Sequence, residues 1–181
     1  MTTSTPPLIT PDLVAVDVVA TDRDQGTRQH LELLHAAGRV TDVEGFHADV
    51  RAREAQMATG MPGGIGLPHA RSAHVVAPSL AVAKVPGGVD FGAPDGPATL
   101  VFLIAAPSEG DGDHLQILAA LARRLVHESF RTSLHEAPDA GTVADIVTRE
   151  VVLPGSSSPC RRAPRASHTP TWPPRPSIRP A

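Results

Sequence analysis

An uninterrupted apolar run, TLVFLIAA at residues 99–106, constrains the fold more than any other feature of this sequence. The run is too short for a membrane helix, which requires about 20 apolar residues. Its length and composition favour a strand, and a strand without polar alternation is buried on both faces. We therefore expect it at the centre of a sheet. Helical patterns on both sides of it in the chain predict α/β layers around a mixed sheet.

Other segments supply the remaining elements of this sheet and its helices. Strands are predicted at 12–20 and 79–85, with a short one at 89–91, and residues 58–64 form a Gly-rich loop. Helices are predicted at 22–37, 41–57, 114–127, 129–135 and 143–150. Gly38 is the expected C-cap of the first helix. The expected N-caps are Thr41 or Asp42, Asp111 or Asp113, and Thr142.

The last 31 residues differ in composition from the rest. Residues 151–181 contain five of the 16 basic residues, none of the 19 acidic ones and eight of the 19 prolines. We expect a disordered or linker tail here, because little apolar surface is available to bury. Residues 1–150 then carry a charge of −8, which disfavours binding to nucleic acid. The single cysteine, Cys160, and an N-terminus without signal-peptide character predict a cytoplasmic protein.

Nine histidines are present, and one of them has an unusual setting. His69 lies in GGIGLPHARS (63–72), directly after a proline that fixes its own φ and extends the preceding residue. Nearby glycines allow close approach by a partner or a phosphate. His74 and His114 also lie at loop or element edges. The other histidines are predicted to be surface or half-buried helix residues or, for His168, part of the tail.

Three chemistries are compatible with a presented histidine. A metal site is disfavoured, because no set of three or four ligands has suitable spacing. A serine or cysteine nucleophile is also disfavoured, since there is no G-x-S-x-G. The third possibility is that His69 itself is the nucleophile and accepts a phosphoryl group. That reaction needs positive groups around the phosphoryl oxygens but neither ATP nor another cofactor, and no Walker-type loop is present.

Two motifs carry a resemblance to a known family. AREAQMATGMPGGIGLPHARS (52–72) and VDFGAPDGPATLVFLIAAPSEGDGDHLQILAALARRL (89–125) resemble the IIA domain of the fructose/mannitol class of the bacterial phosphoenolpyruvate-dependent sugar phosphotransferase system. The resemblance implies a mixed central sheet flanked by helices on both faces. It divides the chain into a flexible N-terminus (1–7), a IIA domain (8–150) and the Pro/Arg/Ser-rich tail (151–181).

The resemblance also implies roles for individual residues. His69 corresponds to the phosphoryl acceptor, as tele-phosphohistidine, and His114 to the histidine that faces it. Arg53 corresponds to the arginine that approaches the phosphoryl group, and Thr59 to a hydroxyl beside the site. Arg71 is left without a role.

The family implies a relay between partner proteins. The histidine-containing phosphocarrier protein is the expected donor, a IIB cysteine is the acceptor, and a membrane IIC permease imports fructose or mannitol. The alternative is a regulatory, nitrogen-related IIA protein that acts by phosphorylation-dependent binding. Met61 and Pro62 depart from the family's glycine loop, and the tail departs from its usual linker to IIB.

Overall fold

A computed structural model describes residues 6–109 and 113–153 of the chain. The strands are β1 (Val14–Ala15), β2 (Gly60–Met61), β3 (Ile65–Gly66), β4 (His69–Ser72), β5 (Ser79–Val89) and β6 (Ala98–Pro107). The helices are α1 (Arg23–Ala36), α2 (Val43–Gln56), α3 (Asp113–Leu125), α4 (Glu128–Glu136) and α5 (Ala140–Glu150), and a 3₁₀ turn spans Pro11–Leu13. None of the helices among these residues is long and apolar enough to cross a membrane.

The apolar run forms the central strand, as predicted. β6 pairs antiparallel with β5 on one side and parallel with both β3 and β4 on the other. β1 and β2 extend the two sides of the sheet, β1 parallel to β5 and β2 antiparallel to β3. The sheet is therefore mixed, and β4, which begins with His69, lies against the second half of β6.

Helices cover both faces of the sheet, which confirms the predicted layering. On one face, Leu80, Val82 and Phe102 pack with apolar residues of α3, α4 and α5. On the other face, Ala81 and Leu103 pack with residues of α1 and α2. Alternate residues of β5 and β6 thus serve opposite layers, as the pleat of a strand requires.

Several predicted boundaries are wrong, for local reasons. The predicted strand at 12–20 contains only the two residues of β1, because Pro11–Leu13 forms a 3₁₀ turn and Asp17 has a φ of 57°. The predicted Gly-rich loop contains β2, which forms a hairpin with β3. Helix α5 is capped by Asp139, whose carboxylate accepts from the Thr142 N–H, so Thr142 is inside the helix.

The other helix ends agree with the sequence where the structure describes them. Asp42 caps α2, and Gly38 follows α1 with a φ of 70°, in the left-handed region that glycine tolerates best. Asp113, one of the two caps predicted for α3, is instead the first residue of that helix. Asp111, the other, lies outside the described residues and stays a prediction.

Two histidines that we predicted to be surface or half-buried are buried. His30 is 1% exposed in α1, and His47 is 4% exposed in α2. His47 Nε2 lies 3.2 Å from Asp24 Oδ1, which joins the two helices. The sequence prediction was wrong for both, because contacts between elements bury them: His30 packs against Val101 of β6, and His47 against Asp24 of α1.

Residues just outside both predicted limits of the IIA domain, 8–150, contact that domain in the structure. Val151 is buried in the core and Leu153 packs against it, although both were assigned to the tail. Pro7 accepts a hydrogen bond from Arg39 Nη2 at 3.0 Å, although it was assigned to the flexible N-terminus. Residues 1–5 and 154–181, and the predictions of disorder made for them, lie outside the described residues.

Candidate functional site

His69 is fixed at the first position of β4 and is only 7% exposed. The carbonyl of the preceding Pro68 accepts from Ile104 N at 3.0 Å, which ties the segment to the central strand. The ring Nδ1 lies 2.9 Å from the Leu67 carbonyl oxygen. A carbonyl only accepts hydrogen bonds, so Nδ1 carries the proton. Nε2 is then the unprotonated nitrogen of the neutral ring.

His114 faces His69 from the first turn of α3. The centroids of the two rings are 5.8 Å apart, and the ring planes are tilted by 32°. Partial burial lowers the pKa of His114, and electrostatic interaction with His69, Arg71 and Arg53 lowers the pKa further. The lowered pKa favours the neutral form of His114 near pH 7, so this ring adds no positive charge beside His69.

Two arginines bring positive charge to this pair of rings. Arg53 lies in the last turn of α2 and lines a cavity with His69. Arg71 lies two residues after His69, and its Nη2 donates to the Ser108 carbonyl at 2.5 Å. Both act electrostatically on His114. The site is suited to a group with several negatively charged oxygens.

A cavity of about 160 Å³ opens between the end of α2, the β2–β3 hairpin and His69. The described residues that line it are Arg53, Met57, Ala58, Thr59, Gly60, Met61, Leu67 and His69. Thr59 is 8% exposed, and its carbonyl accepts from the Leu67 N–H at 3.1 Å. This hydrogen bond ties the residue that carries the hydroxyl of the cavity to the segment just before His69.

All four residues named from the sequence converge here from separate segments. His69 comes from β4, His114 from α3, Arg53 from α2, and Thr59 from the residues before β2. Their positions are compatible with the predicted roles, which stay predictions.

Arg71 is the residue that the sequence reasoning missed. Side chains two residues apart in a strand share a face, so the predicted position of His69 at a strand end could have indicated it. His74, in contrast, lies 3.9 Å from Asp42 at the start of α2 and does not line the cavity.

The glycines around His69 serve close packing within the chain. A Cβ on Gly66 would come within 2.6 Å of the Phe91 ring, and one on Gly60 within 2.4 Å of the Ala93 nitrogen. The close approach that we assigned to a partner or a phosphate is thus made by the protein's own residues. Within the described part of the chain, no group of three His, Cys, Asp or Glu residues could hold a metal ion.

Comparisons of the sequence with known proteins give one consistent result. A family model described as "Phosphoenolpyruvate-dependent sugar phosphotransferase system, EIIA 2" matches residues 7–150. The chain is 43% identical over 122 residues to the PTS system fructose-specific EIIA component of Haloferax volcanii, a match that covers 67% of this chain and 79% of that protein. It is 36% identical over 120 residues to the PTS system fructose-specific EIIABC component of Bacillus subtilis. That match covers 66% of this chain but only 19% of the longer protein.

Solved structures share the fold. The nitrogen regulatory protein IIA-Ntr from Neisseria meningitidis superposes with a TM-score of 0.71 at 27% identity, covering 77% of this chain and 96% of that one. The mannitol IIA of Escherichia coli gives a TM-score of 0.66 at 24% identity, covering 77% and 98%.

Proposed function

This chain belongs to the EIIA 2 family of the phosphoenolpyruvate-dependent sugar phosphotransferase system, and on that premise we propose that His69 carries the phosphoryl group. The contact between Nδ1 and the Leu67 carbonyl carries this proposal. It commits the ring proton to Nδ1 and leaves the Nε2 lone pair for attack, which gives tele-phosphohistidine.

The proposed reaction consists of two displacements at phosphorus. The Nε2 lone pair attacks the phosphohistidine of the histidine-containing phosphocarrier protein; an Nε2–P bond forms, and the donor's P–N bond breaks with its electron pair returning to the donor ring. A IIB cysteine thiolate then attacks the same phosphorus, forming an S–P bond and returning the electron pair to Nε2. Neither step needs a cofactor.

The surrounding residues stabilise the charge that moves through these displacements. Arg53 binds phosphoryl oxygens through its planar guanidinium, and Arg71, which acts electrostatically on His114, adds positive charge nearby. His114, neutral in the free protein, donates a hydrogen bond to a phosphoryl oxygen and gains basicity when the negative group arrives. None of these residues needs to carry the phosphoryl group.

For the whole transport reaction we propose uptake of fructose, or of mannitol, through IIB and a membrane IIC permease. The fructose-specific names of two relatives support the sugar class, and a solved complex of mannitol IIA with phosphorylated IIB from Escherichia coli supports the kind of acceptor. Since phosphoenolpyruvate is a cytoplasmic metabolite, we place the chain in the cytoplasm.

A regulatory function is the second candidate, and the structural likeness to IIA-Ntr favours it. In that case His69 would still be phosphorylated, but the phosphoryl group would change binding to another protein instead of moving to a sugar. Transfer from phosphorylated His69 to a IIB cysteine separates the two functions. Rapid transfer supports the transport role, and a stable phosphoprotein mixed with IIB supports the regulatory one.

Substitution of His69 tests the proposal directly. His69→Ala should abolish acid-labile, base-stable labelling from phosphoenolpyruvate in the presence of the upstream carriers. His74→Ala is the matched control, since His74 is close in sequence but does not line the cavity. Undiminished labelling of His69→Ala would overturn the assignment.

A further inference from the structure

Glu54 follows Arg53 in α2 but makes a separate set of contacts. Its side chain is only 8% exposed. One carboxylate oxygen accepts a hydrogen bond from the Thr59 hydroxyl, and the other lies 3.2 Å from Arg23 Nη1. The carboxylate therefore links a residue of the His69 cavity to helix α1.

Arg23 is itself held in place. Its Nε donates to the Asp90 carbonyl at 3.0 Å, and its guanidinium lies over the Phe91 ring at 5.8 Å from the centroid. The ion pair compensates the charge of the poorly exposed carboxylate and fixes its direction. Glu54 can thus remain a hydrogen-bond acceptor beside the site.

The contact with Glu54 limits what Thr59 can do. A threonine hydroxyl has a single proton to donate, and a carboxylate can only accept. In the structure that proton is committed to Glu54, so Thr59 offers only oxygen lone pairs to the cavity. Phosphoryl oxygens are also acceptors, and they would compete with Glu54 for the same proton.

We infer that Glu54 is a positioning residue that withholds the Thr59 proton from the phosphoryl group. This inference rests on the proposed function of His69. When His69 is phosphorylated, the Thr59 hydroxyl rotates its O–H from the carboxylate towards a phosphoryl oxygen, and no proton leaves the oxygen. Competition from Glu54 makes the phosphorylated state less stable, which favours transfer to the next carrier. A purely structural Glu54 would only hold α2 to α1.

The test is the equilibrium of phosphoryl transfer between His69 and the phosphocarrier protein, measured from the ratio of the two phosphoproteins. In Glu54→Gln, an amide that can donate to Thr59 replaces the competing carboxylate. The equilibrium should move towards phosphorylated His69 by about tenfold, the worth of one hydrogen bond to a charged group. Thr59→Val should move it the opposite way. In the double variant, the effect of Glu54→Gln should fall below about threefold, because there is no proton to compete for.

Glu44→Gln is the matched control. Glu44 also lies in α2 and also pairs with an arginine of α1, Arg28, but it is exposed and does not contact Thr59. The equilibrium should be unchanged in this variant. The control separates loss of a helix–helix ion pair from loss of the contact with the hydroxyl.

Three results would overturn the inference. The Glu54→Gln equilibrium could stay at the wild-type value, it could move away from phosphorylated His69, or it could shift equally with and without the Thr59 hydroxyl.

If Glu54→Gln does not fold, NMR of the unsubstituted protein tests the inference instead. The Glu54 carboxyl carbon resonance should shift on phosphorylation as it loses the hydroxyl, and an unchanged resonance contradicts the inference. A wild-type chain that takes no label at His69 would instead refute the proposed function.

Discussion

The surroundings of His69 differ from those of His30, although both imidazoles are buried and both hold Nδ1 against a backbone carbonyl. His30 Nδ1 lies 2.7 Å from the Gly26 carbonyl oxygen, and its Nε2 lies 3.3 Å from that of Val101. Both of its nitrogens therefore face the backbone, between α1 and β6. At His69, only Nδ1 has such a partner among the described residues, and the ring lines a cavity with Arg53 and Thr59.

Under the proposed function, this difference is what separates a structural histidine, His30, from the phosphoryl acceptor, His69. Burial alone does not distinguish the two histidines, since His30 is 1% exposed and His69 is 7% exposed. The environment of the second ring nitrogen distinguishes them. A nitrogen held against a carbonyl inside the protein is not accessible to phosphorus, whereas the ring of His69 lines a cavity that Arg53 also lines.

The largest effect that sharpens the comparison is expected at His114. His114→Ala should leave His69 open to labelling while slowing transfer to IIB by roughly 10–1000-fold, the range for loss of an electrostatic or proton-linked helper. Rapid-quench measurement of the phosphoprotein gives the rate. If the variant could not be labelled while His69→Ala could, the roles of the two histidines would be reversed.

His30 should show the opposite behaviour. His30→Ala removes a buried ring and its backbone contacts, so we expect the free energy of unfolding to fall by about 3 kcal/mol. Labelling of His69 per folded molecule should be unchanged. Chemical denaturation and labelling checked on the same sample measure both, with the exposed His35→Ala as control. Loss of labelling in folded His30→Ala would remove the distinction between the two regions.

Substitutions of Arg53 test whether phosphoryl transfer depends on the charge of its side chain or on the planar shape of the guanidinium. Arg53→Ala should slow transfer by about tenfold without changing stability, because Arg53 is half-buried at a helix end. Arg53→Lys should recover only part of the rate, since a point charge cannot replace the planar fork. Full activity of the alanine variant would make Arg53 an ordinary solvated charge.

A smaller effect is expected in the titration of His114. Its pKa lies below the usual 6.5, first because of partial burial and then because of His69, Arg71 and Arg53. Arg53→Ala should raise the pKa, as one repelling charge is removed, and phosphorylation of His69 should raise it further. NMR titration of the ring protons measures both changes. A downward shift in either case would contradict the placement of these charges around His114.

His30 provides the reference for this titration. Burial also lowers its pKa, although the carbonyls of Gly26 and Val101 act in the opposite direction. The unfolded chain then binds more protons at this site than the folded one as the pH falls through 6.5, so folding stability should decrease there. Phosphorylation of His69 should leave the titration of His30 unaffected.

Local patterns predicted much of this architecture, and long-range packing accounts for the rest. The apolar run of β6 and the caps at Asp42 and Gly38 are features of adjacent residues, so the sequence contains them directly. The burial of His30 depends on which side of α1 meets the sheet. Its spacing from Leu34 on the same helix was the available signal.

In the candidate site too, some residues were predicted from the sequence, whereas others depend on long-range contacts. His69 was predicted from its proline and glycines, and the resemblance supplied His114, Arg53 and Thr59. The role of Arg71 depends on β4 lying beside the end of β6, and that of Glu54 depends on Arg23, which is 31 residues earlier in the chain. Contacts of this kind cannot be derived from the local sequence.

The central claim is that Nε2 of His69 is the nucleophile because Nδ1 is committed to the Leu67 carbonyl. Phosphorylation of ¹⁵N-histidine-labelled protein, followed by NMR detection of nitrogen–phosphorus coupling, tests it most directly. We predict one-bond coupling between phosphorus and Nε2 of His69, with Nδ1 still protonated. Coupling to Nδ1 of His69, or to either nitrogen of His114, would contradict the account.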